Sequence, residues 1–103
     1  MKIIKDTCDY IDEELHDAEK YIKRALEVKQ DYPELAELFN MLSSEEMKHM
    51  QMLHNQVVKL IDNYRKTEGE PPASMLAVYD YLHQKFIDHA KEIKILQQMY
   101  MEK

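Results

Sequence analysis

Residues 43–50, Ser43-Ser44-Glu45-Glu46-Met47-Lys48-His49-Met50, lie in the middle of the longest helical pattern in the chain. On a helix of ~100° per residue, Leu35, Leu38, Phe39, Leu42, Leu53, Val57 and Leu60 form one apolar stripe through this stretch. Glu46 and His49 fall close to the centre of that stripe, not on the polar side. An acid and an imidazole on an apolar face cost free energy unless something compensates them. A Glu-x-x-His pair facing the interior of a helical bundle is one way in which proteins hold a pair of metal ions.

Working outward, the apolar periodicity predicts a first helix over about 3–29. Ile4, Cys8, Ile11, Leu15, Ala18, Ile22, Ala25 and Leu26 give it one apolar face, flanked by Tyr10, Glu14, Asp17 and Tyr21. The turn Gln30-Asp31-Tyr32-Pro33 follows, with Asp31 and Glu34 reading as a capping box. The second helix covers about 32–66, and so short a turn makes the pair an antiparallel hairpin. Residues 67–73 hold the only Gly and two of the three prolines, and form the linker. The third helix spans about 74–102, with Met75, Tyr79, Leu82, Phe86, His89, Ile93, Leu96 and Tyr100 as its stripe. The expected fold is all-α: one domain of three long helices, each ~40–45 Å at 1.5 Å per residue.

Composition narrows the function classes. A net charge of −6 disfavours a nucleic-acid binder, because phosphate recognition needs a basic face and none is visible. No stretch approaches the ~20 apolar residues of a membrane-spanning helix, and Met1–Asp6 lacks the apolar run of a signal peptide. The single Cys8 allows no intramolecular disulfide and suits a reducing compartment. The expected location is the cytoplasm. No acyl-transfer constellation and no Gly-rich phosphate loop is present, which argues against hydrolases, kinases and nucleotide-dependent enzymes. Eight methionines and the run His49-Met50-Gln51-Met52-Leu53-His54 suggest copper(I), but Met50 and Met52 point ~200° apart on a helix. Core filling explains the methionines better.

The Glu-x-x-His spacing alone is weak. With twenty acids and five histidines, an acid three residues before a His occurs about once by chance, and it occurs three times here. Glu13/His16 lies on a polar side and Asp80/His83 at a stripe edge; only Glu46/His49 is central. Height along the hairpin adds a second signal. Glu14 stands seventeen residues before Asp31, and Glu46 and His49 stand fifteen and eighteen after it. At equal rise all three share one level, so Glu14 can meet the pair across the helix–helix interface. A bridging carboxylate with a Glu and a His is half of a dinuclear carboxylate site. The donor set suits iron or manganese, with zinc also possible.

The pattern Glu14, Tyr21 and Glu45-Glu46-Met47-Lys48-His49 resembles the first helical hairpin of rubrerythrin-type ferritin-like proteins. The resemblance covers about residues 10–60. It implies iron ligands at Glu14, Glu46 and His49, with Tyr21 beside the site as a candidate catalytic residue. Glu45 is the alternative to Glu46. In chain length and single hairpin the sequence also resembles the short encapsulin-associated ferritins, whose sites form between subunits. The second half departs from a four-helix ferritin-like bundle, since the last helix lacks a second Glu and a second Glu-x-x-His. Either a homodimer or higher homo-oligomer supplies the missing ligands, or the third helix contributes through His89 and Glu92; the dimer is preferred. The implied function is a di-iron carboxylate protein for iron oxidation or storage, or for peroxide-linked redox chemistry. The competing expectation is a metal-free helical module that homo-oligomerises or binds a partner protein.

Overall fold

The computed structural model describes residues 2–102. It contains three α-helices and, among the described residues, no strand: α1 at Lys2–Val28, α2 at Pro33–Glu68 and α3 at Ala73–Met101. The molecule is a rod of 55 × 17 × 17 Å. That length is the length of α2, whose 36 residues rise ~54 Å at 1.5 Å each.

The α1–α2 turn is set by Pro33. A proline at the first helical position is pre-organised for the helix, and it pushes the residue before it out of the helical region. Tyr32 accordingly takes φ −137° and ψ 67° and becomes the N-cap, its carbonyl accepting the Ala36 N–H at 2.9 Å. Asp31 is left one residue too early to cap. No side-chain cap forms, so the expected Asp31–Glu34 capping box is absent. Helix α2 ends two residues later than periodicity suggests. Gly69, at φ +84°, takes a conformation that glycine adopts without strain, and its N–H closes onto the Arg65 carbonyl at 3.2 Å.

Helices α1 and α2 pack along their full length because their facing residues are small where the backbones approach. Ala18, Ala25, Ala36 and Ser43 are all fully buried. The Ser43 hydroxyl donates to the Ala18 carbonyl at 2.7 Å and accepts from the Gln97 amide at 3.0 Å, so it ties all three helices at one point. Helix α3 leans mainly on α1. Phe86 and Ile93 fill a core with Ile4, Cys8, Ile11, Leu15, Val57 and Ile61. Near the hairpin turn Tyr100 packs with Ile22, Ala25, Val28 and Ala36. The end of α3 is held there by Lys29, whose ammonium donates to the carbonyls of Tyr100 and Glu102 and lies 4.8 Å from the Tyr100 ring centre.

Helix α2 therefore carries two apolar faces. Ala36, Ser43, Val57 and Ile61 are the buried one. The stripe of Leu35, Leu38, Leu42, Leu53 and Leu60 lies roughly 90° around the helix from it, on the side of the hairpin away from α3. That side is open towards the hairpin turn, where Leu35 and Leu38 are 42% and 49% exposed, whereas Leu53 and Leu60 are half-buried against the edge of the core. Tyr10 of α1 is exposed on the same side. Among the described residues, no helix is long and apolar enough to cross a membrane.

Candidate metal centre

Glu14 of α1 and Glu46 and His49 of α2 meet at the middle of this open face. They are the one group of three or more acidic, histidine or cysteine side chains, among the described residues, whose donor atoms all lie within 4.8 Å of one another. His49 Nδ1 stands 3.6 Å from Glu14 Oε2 and 3.6 Å from Glu46 Oε1. Both separations are too long for a good hydrogen bond. They fall inside the ~3.0–4.2 Å that separates ligand atoms held at 2.0–2.2 Å around one ion. The residues that share a level in the sequence thus share a site in space.

Burial grades the three. The Glu46 side chain is 19% exposed and that of His49 is 51% exposed, with Glu14 between them. His49 is the rim of the site, not its floor. Its place in the apolar stripe reflects the open face of the hairpin, not the core.

The carboxylates are in conflict. Glu14 Oε2 is buried and has no hydrogen-bond partner. Two acids this close do not both ionise cheaply. The Glu46 carboxyl is pushed up to about 7, first because its protonated form can donate to the Glu14 carboxyl, then by burial and by the nearby negative charge of Glu14. The His49 imidazole works in the opposite direction, and Asp17 adds to the rise. Between the ordinary carboxylate range and about pH 7, Glu46 therefore keeps its proton. A cation at the same place would satisfy the orphaned oxygen and relieve the repulsion together.

The remaining candidates separate cleanly. Glu45 is exposed and stands outside the group. Tyr21 lies seven residues beyond Glu14, or ~10 Å along the helix, where its ring stacks on Phe39 with centres 6.2 Å apart. It joins the open face but not the ligand group. His89 faces the other flank of α1, where its Nε2 is 2.8 Å from Glu19 Oε1. Helix α3 therefore brings neither His89 nor Glu92 into this group. Sequence reasoning missed Glu19, whose partner is seventy residues away and leaves no local signature. Cys8 is buried, and burial pushes its thiol up, as suits a packing residue.

No protein-family model, curated protein or solved structure matches the chain.

Proposed function

We propose that the chain is a ferritin-like iron-binding protein whose centre is completed by two-fold pairing of the open hairpin face. The observation that carries this is the convergence of Glu14, Glu46 and His49, with an orphaned carboxylate oxygen, at the middle of an uncovered apolar surface. Three donors from one chain under-fill an iron site. A two-fold axis through this face doubles them to two His and four carboxylates, the number a dinuclear centre uses.

The donor chemistry fits iron. Carboxylate oxygens with one imidazole per ion suit iron and manganese, and tolerate zinc. Glu14 and Glu46 would hold both ions between them, and His49 of each chain would cap one. Bound iron supplies one-electron exchange between its ferrous and ferric states, the basis of iron oxidation or storage and of peroxide-linked redox chemistry. The chain's own contribution begins with the Glu46 proton, which must leave before an ion enters. Leu42 stands one helical turn before Glu46 and Leu53 one turn after His49 on α2, and a second copy covering this face would exclude bulk water from the carboxylates. Tyr21, on the same face, is assigned a one-electron relay and not a ligand role.

The open face also favours a second reading, a metal-free module that self-associates through its leucines, because exposed apolar surface of this kind marks interaction sites. Iron separates the two. Protein given ferrous iron anaerobically and desalted should retain about one iron per chain by elemental analysis. Glu46→Ala should retain none. Equal retention by wild type and variant would leave only the interaction module.

A further inference from the structure

The end of the rod opposite the hairpin turn is hollow. The first turns of α1, the last turns of α2 and the first turns of α3 gather there around Pro71 and Pro72 and border an open cavity of about 790 Å³. Ile4, Cys8 and Ile61, each more than nine-tenths buried, line it from the hairpin. Met75, Tyr79 and Leu82, all half-buried, face them from α3. The hollow has a structural cause. No residue of α3 before Phe86 is fully buried, so the first three turns of that helix cover the hairpin incompletely.

Size and lining are those of a small-molecule pocket. Such pockets run to ~300–1,000 Å³, with mostly apolar walls and a few polar groups that fix orientation. The charged side chains on this wall are Lys2, Lys5 and Asp9, all exposed and all on α1. Lys2 is engaged, its ammonium 3.5 Å from the Asp6 carboxylate. Asp9 lies against the Cys8 thiol and helps burial to push it up. Lys5 has no ion-pair partner among the described residues. A lysine at an apolar rim can lay its stem on the wall and keep its ammonium in water, free for an anion.

We propose that this cavity binds a monomeric fatty-acid-like carboxylate, its hydrocarbon chain against Ile4, Ile61 and Leu82 and its head paired with Lys5 at the rim. A partner helix is a poorer fit, because the wall takes in only residues 2–9 of α1, about 10 Å of helix. The cavity shares no residue with the Glu14–Glu46–His49 group, and its ligand would bind with or without metal there.

The test titrates octanoate, decanoate and dodecanoate calorimetrically into the full chain, below their micelle concentrations and with a chelator present. One carboxylate per chain is expected, with affinity rising by up to about fifteenfold for every two methylene groups added, as hydrocarbon burial predicts. Decylammonium should bind more weakly than decanoate, although a net charge of −6 favours the amine wherever the overall field decides. Lys5→Glu should weaken decanoate about tenfold by reversing the charge at the rim. Lys91→Glu makes the same change in net charge at an exposed position outside the cavity, and should leave the affinity nearly unaltered. Lys5 is itself exposed, so its replacement leaves the core intact. Absence of carboxylate binding, affinity independent of chain length, an amine that binds as tightly as the acid, or equal effects of the two lysine variants would each overturn the proposal. None of these results touches the iron proposal.

Discussion

Replacing Glu46 by glutamine should make the metal-free protein more stable while abolishing its metal binding. The glutamine amide reproduces the protonated form of the acid, which donates to Glu14 without adding a second negative charge. The rise of the Glu46 carboxyl from 4.5 to about 7 is equivalent to at most ~3.4 kcal/mol at neutral to alkaline pH. The site opens to solvent through His49, so screening reduces this to about 1–2 kcal/mol. For a chain of this size that is a rise in Tm of about 5–15 °C. The sign follows from the protons bound. Between pH 4.5 and about 7 the native Glu46 keeps a proton that the unfolded chain has released, so wild-type stability falls as pH rises through that window. The Glu46→Gln protein lacks this loss. Thermal unfolding with a chelator present, at pH 4 and at pH 8, should show Glu46→Gln equal to wild type at the lower pH and more stable at the higher. Destabilisation at pH 8, or an equal gain at both pH values, would refute the carboxylate conflict.

The same proton opposes metal entry. Affinity for ferrous iron, followed by chelator competition under anaerobic conditions, should drop by up to about tenfold per pH unit below 7, with about one proton released per ion at pH 6; a flat profile between pH 5 and 8 would contradict the assignment of Glu46. Ser43→Ala deletes the donor to Ala18 and the acceptor of Gln97 in a fully buried position, and should cost about 1–2 kcal/mol in urea unfolding. Leu38→Lys places a charge on the open face without touching the buried one. It should leave helicity and Tm of the isolated chain nearly unchanged but shift light scattering to the monomer, whereas unfolding would show that Leu38 belongs to the core.

The helices and the candidate site were largely legible in the sequence; the arrangement of α3 was not. Helical content followed from repeats such as Ile4, Cys8, Ile11 and Leu15, which bury one face wherever the partner lies. The meeting of Glu14 with Glu46 and His49 was legible because an antiparallel hairpin with a short turn converts residue counts into height. Position around α2 was a different matter. Its most apolar stripe is only half-buried, with Leu35 and Leu38 exposed and Leu53 and Leu60 packed on the edge of the core, while its buried seam runs through Ala36, Ser43, Val57 and Ile61. Hydrophobicity ranks the leucines first, but close helix packing selects small side chains. Asp31 illustrates the same limit locally, because Pro33 moves the cap to Tyr32 however suitable Asp31 is by type. The His89–Glu19 contact joins residues far apart in the chain, and nothing in either local pattern announces it.

The central claim is that Glu14, Glu46 and His49 are half of a centre that a second copy completes. The most direct test measures molar mass and bound iron on the same sample, by light scattering coupled to size exclusion and by elemental analysis of the eluted peak. Completion by a second copy predicts a dimer or a multiple of it carrying about two irons per pair of chains. It also predicts that Glu46→Ala elutes without iron. A monomer at micromolar concentration, or an assembly with no more iron than Glu46→Ala, would contradict it.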